Sequence, residues 1–261
     1  KILFFYYNVK YYNPTFAEIR KEIDIENKIQ YHSEKISIEN KVELKNISFR
    51  YEDTKNYILD KLSLTIDFNS SIGIFGKSGS GKTTLMDIIS GLIVSKKGNL
   101  IVDDQLIENN YLRRKLQNNI SYISQKTTVI NDSLLKNICF GIEEKDIDFK
   151  KYNEVVEICE LRSIEKNFDQ NLKKVFDQGK NISGGQLQRI GIARALYQNK
   201  QILIFDEATN ALDDQLEKNI VKKLNGIKNK KILIFVSHNL ELLKNFDHIY
   251  EVKEGNIFKT K

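Results

Sequence analysis

Residues 71–84 read SIGIFGKSGSGKTT, and this stretch decides the fold. Ser71 to Phe75 is a short apolar run of strand type. Gly76 to Thr83 then spells G-x-x-x-x-G-K-[ST], and Thr84-Leu85 opens a helical pattern continued by Ile88, Ile89 and Leu92. Strand, glycine-rich loop and helix in that order make a phosphate-binding turn. Gly76, Gly79 and Gly81 let backbone N–H groups converge on a phosphate without Cβ clashes, and Lys77, Ser78 and Ser80 complete the loop. The helix N-terminus adds its positive dipole end, Lys82 reaches β/γ oxygens, and Thr83 offers its hydroxyl to Mg2+. The ligand this predicts is a nucleoside triphosphate.

Outward from this stretch, three further apolar runs have strand length: Ile120 to Ser124, Ile202 to Phe205 and Ile232 to Val236. Alternating with helical patterns, they predict an α/β fold with a buried, largely parallel sheet. Polar residues follow each run: Gln125, Asp206-Glu207 and Ser237-His238. In an open parallel sheet the carboxyl ends of the strands border the ligand crevice, so these ends are expected around one nucleotide. Asp206 would then hold the water shell of Mg2+, and Glu207 would orient the water attacking the γ-phosphorus. The plainer reading of that pair is an acidic strand end, and the phosphate loop upstream favours the catalytic one. His238 is a weak signal alone; its claim to the γ-phosphate rests on sharing the sheet edge.

A second glycine signal, Ile182-Ser183-Gly184-Gly185-Gln186, precedes Leu187, Ile190, Ile192, Ala193 and Leu196 at helical spacing. It is another helix N-terminus prepared for an anion. Either it caps its own helix, or it meets a nucleotide held by a second copy of the chain. Between these landmarks the pattern is mostly helical, through Leu134, Leu135, Ile138, Val155, Val156, Ile158 and Cys159. That predicts a helical insertion over about 126–190.

At the other end, Asn13 and Pro14 form a helix-start signal ahead of Phe16, Ile19 and Ile23. Residues 24–41 turn polar and read as a connector into a strand marked by Val42, Leu44, Ile47, Phe49 and Tyr51, with the domain boundary near Val42. The sole methionine is Met86 and the chain opens at Lys1, so it reads as a piece of something longer, and Ile2 to Tyr12 as the cut end of a membrane helix. No stretch approaches the roughly 20 apolar residues of a spanning helix. Two cysteines without a Cys/His cluster suit a reducing compartment and exclude structural zinc. The formal charge of +6 is compatible with a polyanion or a membrane face and decides nothing alone.

Taken in order, these motifs resemble the nucleotide-binding domains of ABC (ATP-binding cassette) transporters across residues 42–261. The resemblance makes GKSGSGKT the Walker A motif, Gln125 the Q-loop, ISGGQ ending at Gln186 the signature, and ILIFDE ending at Glu207 Walker B. Ala211-Leu212-Asp213 is then the D-loop and His238 the H-loop. It implies a P-loop NTPase (RecA-like) core with an added antiparallel β subdomain. It also implies a head-to-tail homodimer in which Ser183, Gly184, Gly185, Gln186 and Asp213 meet the ATP held by the partner. Thr83, Gln125 and Asp206 would hold Mg2+; Thr84 would join the ATP contacts; Glu207, His238 and Lys82 would be catalytic. Tyr51 would stack on adenine, the reading favoured over a plain core aromatic in an alternating strand.

The short interval from Gln125 to Ser183 leaves no room for the coiled-coil insertion of chromosome-maintenance ATPases, and no nucleic-acid partner is expected. A P-loop kinase would have no use for Ser183 to Gln186 or for His238. An aromatic helix end followed by a connector favours the exporter arrangement, with membrane helices on the same chain and the ATPase at the cytoplasmic face of a bacterial inner membrane. Exporters usually carry x-G-E-x-G before the signature, and here the stretch reads Phe176-Asp177-Gln178-Gly179. The Tyr11-Tyr12-Asn13-Pro14-Thr15 entry and the FDQGKNISGGQLQRI stretch most resemble the lipid-linked oligosaccharide flippase of bacterial protein N-glycosylation. Another lipid or peptide exporter is the runner-up.

Overall fold

The computed structural model describes residues 34–52, 54–169 and 182–261, together with Tyr12, Phe16 and residues 18–20. The chain divides into two compact units, Lys1–Glu34 and Lys35–Lys261. In the first, Tyr12, Phe16 and residues 18–20 are helical and exposed. Asn13, Pro14 and Ile23 themselves lie outside the described residues, as does the stretch Phe176–Gly179. No helix among the described residues is long and apolar enough to cross a membrane.

The second unit begins at Lys35, ahead of the Val42 boundary read from the sequence. The cause is packing: Ile36 and Ile38 are buried, and Gln201 exchanges hydrogen bonds with the Ile38 backbone in both directions, at 3.3 and 3.0 Å. The Asn119 amide also donates to the Ile36 carbonyl.

A six-stranded sheet carries the unit, in the order β10 (Asn256–Lys259), β9 (His248–Lys253), β3 (Ser71–Phe75), β8 (Ile232–Val236), β7 (Ile202–Asp206) and β6 (Ile120–Ile123). All its pairs are parallel except β10 with β9. Strands β7 and β8 are buried at every position, as two-sided coverage requires. Alternation sorts them. Leu203, Phe205, Leu233 and Phe235 pack on one face with the helices α4 (Phe149–Ile158), α6 (Gly184–Gln198) and α7 (Asp214–Gly226). Ile202, Ile204, Ile232, Ile234 and Val236 pack on the other with α1 (Lys82–Ile89).

Against that second face lies a four-stranded antiparallel sheet, β2 (Leu59–Asp67), β1 (Lys41–Phe49), β4 (Lys97–Val102) and β5 (Gln105–Leu106). It is the β subdomain that the resemblance implies. Strand β1 slips register between Leu44 and Ile47, where Asn46 takes φ 52°, which explains the uneven apolar spacing there. The strand ends at Phe49, so Tyr51 is outside it, correcting the sequence reading. Helix α2 (Asn110–Gln117) precedes β6, and the insertion is helical in its described part, with α3 (Leu134–Ile138), α4 and α5 (Arg162–Asp169).

Asp103 accepts the backbone N–H groups of Glu39, Asn40 and Lys41 at 2.6, 2.9 and 2.7 Å, clamping the chain's entry into β1. Desolvation alone would raise its pKa, but these donors and the nearby Lys41 charge hold it below the usual carboxylate range. A depressed folded pKa contributes stability above the unfolded pKa that is lost as pH falls through the folded one. Asp103→Asn is therefore expected to lower stability by about 1–3 kcal/mol at neutral pH. In urea titrations the gap to the native chain should close as pH is taken below about 4.

Candidate functional site

Level registers put the functional strand ends side by side. Ile74 pairs with Val236, Asp206 with Val236, and Ile123 with Phe205, so β3, β8, β7 and β6 stop together. The continuations of β3, β7 and β6 border one open cleft of ≈ 350 Å³, lined by Ile58, Ser78, Gly79, Gly81, Lys82, Thr83, Thr84, Gln125, Asp206 and Glu207; His238, beyond β8, is not on that lining and meets it through Glu207.

From the loop Gly76 to Gly81, the residues Ser78, Gly79 and Gly81 line the cleft. Gly76 has φ 154°, and a Cβ there would lie 2.3 Å from the Val252 carbonyl oxygen, which only glycine avoids. Gly81 caps α1 at φ 101° without a side-chain hydrogen bond, and a Cβ would press on Leu59 and Ile58. Helix α1 therefore begins at Lys82, two residues earlier than the sequence pattern suggests, and its first-turn N–H groups have no side-chain cap. The Lys82 side chain is only 6% exposed. Its ammonium donates to the carbonyls of Gly76 at 2.9 Å and Lys77 at 3.1 Å, and lies 4.0 Å from Glu207 Oε1. A cation and uncapped N–H groups facing one cleft suit a polyphosphate.

The wall opposite is acidic. Asp206, at the end of β7, is buried and accepts the Tyr122 hydroxyl at 2.9 Å. Burial and then the Asp206 charge push the Tyr122 phenol up, so it remains a donor. Burial and Asp206 likewise push the Asp87 carboxyl up from its ordinary value. Glu207 follows at φ 53°, a conformation that costs a residue with a Cβ roughly 1–2 kcal/mol. Three contacts hold it: its N–H donates to the Val236 carbonyl at 3.2 Å, Oε1 meets His238 Nε2 at 2.7 Å, and Oε2 accepts the Asn210 amide at 3.1 Å.

Thr83, Gln125 and Asp206 put hydroxyl, amide and carboxylate oxygens around the same cleft. Among the described residues no group of three or more His, Cys, Asp or Glu could hold a metal alone. One carboxylate with neutral oxygens fits Mg2+, which is commonly held jointly by protein and phosphate oxygens.

The fold thus gathers most of the residues expected from the sequence. Tyr51 stands beside the cleft, 44% exposed and edge-on to Phe49, with its hydroxyl 3.3 Å from Thr84 Oγ1. Ser183, Gly184, Gly185, Gln186 and Asp213 do not line this cleft. Ser183 and Gln186 form a reciprocal capping box at the start of α6, and Asp213 caps α7 through the Leu216 N–H at 3.0 Å. Sequence reasoning missed Tyr122, Asn210 and Gln188. Asn210 carried a readable signal, three residues beyond Glu207 in a turn; Tyr122 needed the β6–β7 pairing.

Comparison with known proteins agrees with this geometry. The family model for ABC transporters matches residues 59–210. The chain is 33% identical over 220 residues to an ATP-dependent lipid A-core flippase of Pseudoalteromonas translucida, covering 84% of this chain and 38% of that protein. It is 35% identical over 228 residues to the alpha-hemolysin translocation ATP-binding protein HlyB of Escherichia coli O157:H7, covering 84% of this chain and 31% of the relative. Among solved structures, a bacterial Atm1-family ABC exporter with ATP bound superposes with TM-score 0.77 at 25% identity, over 86% of this chain and 39% of that one. The chain therefore spans well under half the length of these relatives.

Lys82→Met keeps the stem that fills the loop and removes the only ammonium among the described residues that line the cleft. It is expected to weaken triphosphate binding at least about 100-fold, as for loss of a charge-assisted contact in a buried site. Equilibrium dialysis with labelled ATP reads the result, and unchanged retention would remove Lys82 from the site.

Proposed function

Because the chain belongs to the ABC transporter family, on the match across residues 59–210, we propose that it binds and hydrolyses ATP to drive an exporter. The observation that carries this reading is Glu207, strained at the end of β7 and held 4.0 Å from Lys82 and 2.7 Å from His238. Walker A residues Gly76 to Thr83 cradle the phosphates, with Thr84 and Gln125 beside them and Tyr51 poised for the base. Glu207 orients a water in line with the γ-phosphorus and takes its proton as the new P–O bond forms. The bridging P–O bond to the β-phosphate breaks in the same step, releasing ADP and phosphate. Lys82 and His238 stabilise the charge developing on the γ-oxygens. Thr83, Gln125 and Asp206 would hold Mg2+, which supplies further neutralisation of the phosphate charge.

A second copy completes the site in this reading. Ser183 and Gly184 are exposed and off their own cleft, which supports a head-to-tail homodimer closing the signature helix of each copy over the nucleotide of the other. The short coverage of the relatives supports a membrane-spanning half elsewhere on the same protein, with this unit at the cytoplasmic face of a bacterial inner membrane. Relatives named lipid A-core flippases favour a lipid cargo. The finer assignment to a lipid-linked oligosaccharide rests on the sequence resemblance alone, and the hemolysin relative keeps a peptide cargo as the second reading.

Glu207→Gln keeps the shape and hydrogen bonds of the side chain and removes the base. Turnover should fall about 100- to 10,000-fold while ATP remains bound, and unchanged phosphate release would sink the assignment. If two copies share each nucleotide, ATPase rate should rise faster than linearly with protein concentration. A strictly proportional rate would argue for a self-sufficient single copy. Cargo is tested by following lipid-linked glycans across vesicles containing the complete transporter, with lipid A-core and peptide as the competing substrates.

A further inference from the structure

Gln188 lies at the start of the second turn of α6 and is almost fully buried, at 4% exposure. A buried amide needs partners, and this one has two on different segments. Its Oε1 accepts the Ala211 backbone N–H at 2.8 Å, and its Nε2 donates to the Gln125 backbone carbonyl at 3.4 Å. Gln125 is the cleft residue beyond β6, and Ala211 directly follows Asn210, whose amide holds Glu207 Oε2. One side chain therefore joins the Q-loop, the helix that begins with Ser183, and the turn that aims Glu207.

The packing around it is tight. A Cβ on Gly185 would lie 2.8 Å from the Ala211 carbonyl oxygen, and one on Gly191 would lie 2.5 Å from Thr127 Oγ1. Helix α6 thus touches the Glu207 turn on one side of Gln188 and the Q-loop on the other. The far side of the turn is fixed as well, because Thr209 donates to the buried Glu217 carboxylate at 2.5 Å. A shift of Gln125 must carry Gln188, Ala211 or both, since a buried hydrogen bond left unmade costs more than a small shared displacement.

We infer that Gln188 is a positioning residue for ATP hydrolysis: it sets the Glu207 carboxylate through Ala211–Asn210 and ties that setting to the position of the Q-loop. The inference rests on the proposed ATPase reading and adds a physical link between Gln125 and Glu207 within one chain. Such a link requires a shared element that both ends bias, and the Gln188 amide is that element.

The test uses the full chain. Gln188→Leu removes both bonds at similar volume, whereas Gln188→Glu keeps the acceptor for Ala211 and loses the donor to Gln125. Gln188→Leu should lower kcat roughly 3- to 30-fold, the range carried by coupled networks, with ATP affinity unchanged. Gln188→Glu should recover much of that kcat because the Ala211 bond persists. The loss in Gln188→Leu combined with Asn210→Ala should fall short of the product of the single losses, since both act on one carboxylate. Full kcat in Gln188→Leu, a loss matched by an equal fall in folded fraction, or purely multiplicative losses would overturn the inference. If Gln188→Leu does not fold, Gln188→Met, which also removes both bonds at similar volume, and its combination with Asn210→Ala decide by the same non-additivity. Failure of the ATPase reading is separable: it would appear as a native chain without turnover, or as a Glu207→Gln variant with undiminished rate.

Discussion

The buried Lys82 ammonium is the constraint on which the site depends. At 6% exposure it has lost most of its hydration, and its close acceptors are two backbone carbonyls, with the nearest carboxylate oxygen 4.0 Å away. Neutral carbonyls compensate a desolvated cation only in part, so the cleft retains an attraction for negative charge. Everything around Lys82 keeps that attraction available. Gly76 and Gly81 let the backbone wrap tightly enough to present its carbonyls and N–H groups, and Glu207 is held by His238 and Asn210 instead of closing into a short pair with the ammonium.

Rigidity comes from the sheet. Strands β7 and β8 are buried at every position, and Phe205, Phe235 and Phe246 pack in series at 5.4 and 5.7 Å between ring centres. Side chains alternate between two cores, so a one-residue slip of either strand would exchange both faces at once. The register that brings Asp206 level with Val236 is therefore specified by the core, far from any phosphate. Asp247 adds a local lock by accepting the N–H and hydroxyl of Ser71, at 2.8 and 2.9 Å, where β3 begins.

Much of this was legible in the residues. The motif from Gly76 to Thr83 announced the loop, and polar residues after apolar runs announced the crevice, because strand periodicity and chain order are local properties. What the residues did not show depends on register and on side-chain reach. Tyr51 looked like a strand position, but β1 ends at Phe49; the uneven spacing from Leu44 to Ile47 marks the register slip at Asn46 without showing where pairing stops. Tyr122 reads as an ordinary strand aromatic until pairing of β6 with β7 sets its hydroxyl on Asp206. Gln188 reads as one polar residue on an amphipathic helix, and only the packing of two distant loops against α6 makes it a buried bridge.

Glu207 is the residue at which these constraints meet. A left-handed conformation at a residue with a Cβ persists only where its surroundings over-determine it. Here the backbone N–H is fixed to β8, one carboxylate oxygen to His238, and the other to Asn210 in a turn anchored by Thr209 and Gln188. Each contact comes from a different part of the fold, so the carboxylate cannot relax without disturbing the carboxyl end of β8, His238 two residues beyond it, or helix α6. The strain thus has a structural consequence: the position of one carboxylate oxygen reports on the arrangement of three separate segments. A group placed in that way is suited to a reaction that must wait for the whole assembly to be in register.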